Sequence, residues 1–145
     1  MTNNIAPVGW IAIIALLITG CGAGNPFETV PVSGKVTCKD GAPIAADIVV
    51  VHFVPQDVPA VGDHHSRPAR ATLGADGSFA ALSSFARDDG AVPGMHRVVI
   101  EAFDAGYTPN TTAIAEQYSS PTQTPLEARV TVEGVNHFEL TVERP

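Results

Sequence analysis

The residues in this chain best able to do chemistry are five histidines, two cysteines and a few carboxylates set beside glycine. Asp63-His64-His65 is the clearest metal candidate, because an Asp beside two His suits a transition metal. Consecutive side chains of an extended loop diverge, so one ion would need a third ligand from elsewhere, such as His52 or Asp57. A solvated loop is the preferred reading, and no metal or other cofactor is expected. His52 interrupts an apolar run and reads as a satisfied or half-exposed histidine. His96 and His137 fall in strands, where packing or a solvent face suits them. Asp76-Gly77 and Asp88-Asp89-Gly90 lack the spaced ladder of oxygen ligands that calcium takes, so turn chemistry accounts for both. No G-x-S-x-G, H-E-x-x-H, C-x-x-C or P-loop pattern occurs, and a non-catalytic protein is expected. Sugar platforms stack rings on exposed aromatics. The ligand-loop candidates are Tyr107 and Tyr118, with Tyr118 reading better as an anchor of its loop.

The chain that must position these groups has 145 residues, a net charge of −7 and 45 % hydrophobic residues. That length suits one domain. The acidic balance argues against a nucleic-acid partner, which would need a basic face. From Val30 onward the hydrophobic period is two. Val32, Val36 and Cys38 share one parity; so do His96, Val98, Ile100 and Ala102; so do Leu126, Ala128, Val130 and Val132; so do Phe138, Leu140 and Val142. Ile48–Val54 is apolar on both parities, which predicts cover on both faces. Asp40-Gly41, Asp76-Gly77, Asp89-Gly90 and Glu133-Gly134 read as turns. The pattern predicts an all-β fold, a seven-stranded antiparallel β-sandwich over 30–145, with Phe53 and Phe138 in its core. Ala113–Tyr118 has room for one helical turn at most. Cys38 reads as a small buried hydrophobe. The connections Gln56–Pro68 and Asp104–Thr124 exceed hairpin length, and long loops are where binding tends to sit.

Residues 1–20 carry no charged side chain, and Val8–Ile18 is an apolar run of 11 residues. As a helix it spans about 16 Å, short of the ~30 Å bilayer core. It fits the apolar region of a signal peptide. Ile18-Thr19-Gly20-Cys21 comes next and resembles the lipobox of bacterial lipoproteins. The resemblance implies cleavage after Gly20, a thioether-linked diacylglycerol on Cys21 and acylation of the new amine. Several acyl chains hold a protein to a membrane stably where one does not. Met1–Pro7 departs from the pattern in having no Lys or Arg. Gly22 stands where an Asp is associated with inner-membrane retention, which implies the outer membrane or periplasmic face. The expected organisation is a signal peptide over 1–20, the lipidated Cys and a tether over 21–29, and the domain over 30–145. From Cys21 to Pro31 the chain reaches at most about 35 Å, so the domain sits close to its membrane.

The order of the domain's motifs carries a second resemblance. Val32-Ser33-Gly34-Lys35-Val36 leads to Asp40-Gly41-Ala42-Pro43-Ile44, then Ile48–Pro55, Ala75-Asp76-Gly77-Ser78-Phe79 and Gly90–Val98. Gln117-Tyr118-Ser119-Ser120-Pro121, Thr124-Pro125-Leu126 and Gly134–Leu140 complete the order. It resembles that of bacterial lipoproteins with a carboxypeptidase-regulatory-like domain, a transthyretin-like β-sandwich, over about 30–142. The resemblance implies an extracytoplasmic accessory or structural module of the cell envelope with no catalytic residue to carry over. Its partners would be the membrane, through Cys21, and an envelope protein or glycan. The alternative is a ligand-binding module for a glycan or metal, using the 104–124 loop or Asp63-His64-His65.

Overall fold

Alternating apolar and polar residues can bury one face of a strand only against a second layer, and two sheets supply each other's cover here. A computed structural model describes residues 24–145. The segment 1–20 expected to be a signal peptide, and Cys21 expected to be lipidated, lie outside the described residues. Strands run β1 (Ser33–Cys38), β2 (Ile48–Pro55), β3 (Ala69–Thr72), β4 (Ser78–Phe79), β5 (Gly94–Asp104), β6 (Thr108–Pro109), β7 (Glu127–Val130) and β8 (His137–Val142). One sheet has the order β4-β1-β8; the other has β3-β2-β5-β6, with β7 also on β5. Val36 and Val142 of the first sheet and Val51, Phe53, Val98 and Ile100 of the second are all fully buried in one core between them. The four turn glycines, Gly41, Gly77, Gly90 and Gly134, all have positive φ.

Four features depart from the sequence expectation. There are eight strand segments rather than seven; the additional one, β6, is a two-residue pairing inside the long loop. The sandwich is not wholly antiparallel, because β1 and β8 pair in parallel from Ser33↔His137 to Cys38↔Val142. Direction alternates only within hairpins; β8 crosses over from the other sheet at the end where β1 begins, so the two run together. Asn136 braces that crossover: its Oδ1 accepts from Thr131 N–H at 2.9 Å and its Nδ2 donates to Thr131 C=O at 2.9 Å. Thirdly, β7 stops at Val130, leaving Val132 in the turn and exposed. Fourthly, β2 is buried on one face only. Val49, Val51 and Phe53 are in the core, while Ile48, Val50, His52 and Val54 are half-buried on the sheet's outer side. No third layer lies over that side among the described residues; its apolar residues shield one another on the pleated surface.

The loop after β5 closes the open flank of the sandwich. Thr124 Oγ1 donates to Val98 C=O at 2.7 Å, Asn110 N–H to Ala102 C=O at 2.9 Å, and Ala115 N–H to Glu143 C=O at 2.9 Å. Ala113, Ile114 and Tyr118 enter the core. The expected helical turn is a 3-10 turn at Glu116–Ser119.

Candidate functional site

The side chains with chemical potential are mostly committed to the fold. His52 Nε2 lies 2.7 Å from Glu101 Oε2 across β2 and β5, half-exposed as expected. His96 is fully buried against the Phe53 ring, with Nε2 2.8 Å from Val92 C=O. That carbonyl can only accept, so Nε2 carries the hydrogen and buried Nδ1 is left without a donor. His137 bridges Ser33 Oγ at 2.9 Å and Glu139 at 3.0 Å. Cys38 is buried. Asp76 accepts from the Ser78 hydroxyl at 2.6 Å and N–H at 3.0 Å, and these bonds, the hydroxyl's foremost, hold its carboxyl below the usual range. Asp89 organises a loop: burial pushes its carboxyl up, but N–H groups of Ser84, Ala86 and Phe85 at 2.7–3.0 Å outweigh that and hold it low. Asp40 is likewise lowered, by Arg144 first and then by Ala42 N–H.

Asp63, His64 and His65 lie exposed in a tight turn where Val61 and His64 exchange backbone hydrogen bonds. Neither His52 nor Asp57 joins them; among the described residues no three His, Cys, Asp or Glu side chains converge. Tyr107 and Tyr118 part company. Tyr118 is 4 % exposed and anchors the loop, so the two cannot form one sugar platform. Tyr107 is 69 % exposed and leans on Phe103, with ring centroids 6.0 Å apart.

Tyr107 borders a cleft of about 640 Å³, together with Val50, Arg70, Thr72, Ala81, Ser83 and Asp88. Its origin is the split between β3 and the segment after β4. The two are tied at one end by Gly74 N–H to Ser78 C=O and at the other by Arg70 and Ser83 exchanging bonds at 2.9 Å. Between these ties β4 turns away to join β1. Backbone groups alternate in direction along a strand, so Thr72, two residues beyond Arg70, presents its N–H and C=O to the gap. Among the described residues, Asp88 and Tyr107 are the non-glycine residues with positive φ, at 55° and 60°. Both sit on this cleft, and left-handed backbone is unfavourable for a bulky residue unless its surroundings impose it. Sequence reading found Tyr107, read Asp88 only as part of a turn, and missed Arg70 and Thr72, because an exposed strand edge has no residue signature. The cleft offers a guanidinium, a carboxylate, an unpaired strand edge and an aromatic face, which suits binding of a polar extended ligand and supplies no paired nucleophile and base.

No family model, curated protein or solved structure was found to match the chain.

Proposed function

We propose that this protein is a non-catalytic, lipid-anchored module of the bacterial cell envelope that holds an extended segment of another envelope protein in the β3–β4 cleft. The observation that carries the reading is the unpaired edge of Thr72 inside a cleft lined by Arg70, Asp88 and Tyr107. An added strand gains backbone hydrogen bonds at such an edge, and flanking side chains supply selectivity. Anchorage is supported by Val8–Ile18 followed by Ile18-Thr19-Gly20-Cys21. The transthyretin-like reading is supported by the seven strands of the sequence pattern, with β6 a short branch at the end of β5. Glycan binding on the exposed Tyr107 ring is the second reading.

The test is photocrosslinking in host envelopes from position 107, beside a Thr72→Pro variant that removes the edge N–H. A single protein crosslinked at 107 and lost in Thr72→Pro, with unchanged melting, is the expected result. Crosslinking that Thr72→Pro leaves intact but envelope polysaccharide abolishes would favour the glycan. No specific adduct at 107 would refute the cleft as a binding site.

A further inference from the structure

We propose that the end of the sandwich where the chain enters lies on the membrane, its exposed valines resting in the headgroup layer of a phospholipid bilayer; this rests on acylation of Cys21. β1, β5 and β8 begin at this end and β2 and β7 finish there. The connections 56–68, 80–93 and 131–136 therefore gather around the entering segment. Among the described residues, the large exposed hydrophobics are Val61, Val132, Val135 and Tyr107. The three valines all belong to these connections, Val135 being 90 % exposed; Tyr107 comes after the far end of β5. Single exposed apolar residues are ordinary; here the three aliphatic ones share the end at which the chain enters.

The entering segment is fastened to this end. Val30 and Ala91 exchange backbone bonds at 2.9 and 3.1 Å. The Phe27 ring stacks on Phe85 at 5.6 Å, and the Arg67 guanidinium lies 5.2 Å from the Phe85 ring centre. Phe85 is held in turn by the loop that Asp89 organises. Gly24 and Pro26 share a depression of about 320 Å³ with His64 and Arg67. Three Cα–Cα steps lead from Cys21 to Gly24, a reach of at most about 11 Å. An acylated Cys21 thus draws this face against the headgroups, which extend roughly 5–8 Å beyond the hydrocarbon on each side. Glu28 of the entering segment and Asp57, Asp63, Asp88, Asp89 and Glu133 of the connections outnumber Arg67 and Arg87, so the valines carry the contact and an anionic surface weakens it. The contact is weak alone, but the anchor makes it intramolecular.

The test uses the full chain purified from its membranes and reconstituted in phosphatidylcholine vesicles with brominated acyl chains. A fluorophore is placed on Val135→Cys or, at the opposite end, on exposed Ala45→Cys; buried Cys38 stays unlabelled. Quenching at least twofold stronger at 135 than at 45 is expected. It should fall when Val61 and Val132 are changed to Ser, and when phosphatidylglycerol is added. Equal quenching at both positions in acylated protein overturns the proposed face and leaves the anchor standing. Stronger quenching with phosphatidylglycerol transfers the contact to the arginines and overturns the valine argument. Intact mass of the same sample separates the two claims, since an unacylated chain overturns the anchor and this inference with it.

Discussion

Asp89 shows how a residue type visible in the sequence acquires its role from geometry. Its carboxylate gathers the N–H groups of Ser84, Phe85 and Ala86. Its folded pKa is held below the ordinary carboxylate value. The ionised form is therefore favoured by the fold, and the stability it contributes is complete above the unfolded value of ~3.9. It is lost as pH falls through the folded value. Asp89→Ala is expected to lower stability by about 2 kcal/mol at pH 7, measured by denaturant melts. Asp89→Asn should flatten the decline of stability between about pH 5 and pH 2; a decline as steep as in the wild type would show that other carboxylates govern acid unfolding. Gly90 is a second case. Its φ is +90° and a Cβ there would collide with the Val30 carbonyl oxygen. Gly90→Ala is expected to destabilise by more than about 3 kcal/mol. Gly41→Ala, at φ +81° in open space, should cost only about 1 kcal/mol. Similar losses at both would mean that left-handed backbone, and not the close approach, sets the penalty.

Strand parity was legible from residue spacing. Val36, Cys38, Val98, Ile100, Leu140 and Val142 all face inward as alternation demands. Equal weight for Phe53 and Phe138 was not correct, because burial depends on where along the sheet a strand meets its opposite layer. Phe53 is fully buried; Phe138 is partly exposed, its ring centroid 5.6 Å from that of Phe53. Phe53→Ala is expected to cost roughly 3–5 kcal/mol and Phe138→Ala about half as much, with equal losses arguing against the present packing. The long loop after β5 is the other lesson at this scale. Its length marked it as a place for binding with Tyr118 as its anchor; Tyr118 is that anchor, and Ala113 and Ile114, which the spacing did not single out, join it in the core. Tyr118→Ala should cost about 3 kcal/mol. It should also raise hydrogen exchange at Asn110 and Ala115 before the sheets open; unchanged exchange there would refute the loop as the closing flank.

At the scale of the molecule, the β3–β4 cleft is where the sandwich offers a strand edge, and the proposed anchor at Cys21 is open to direct test. Cys21→Ser is expected to move the protein from membrane to soluble fractions; unchanged retention in the membrane would sink the lipobox reading. Local periodicity and composition alone determined an all-β domain from Val30, the inward face of most strands, the turn glycines, Tyr118 as an anchor, and the turns that Asp76 and Asp89 serve. Those properties are set by neighbours along the chain, so spacing encodes them. Tertiary structure alone decided the parallel β1–β8 pair, the loop as the closing flank, the half-covered outer face of β2 and the cleft that joins Arg70, Thr72, Asp88 and Tyr107. Each depends on which strand edge meets which, and edge pairing uses backbone groups that every residue carries alike.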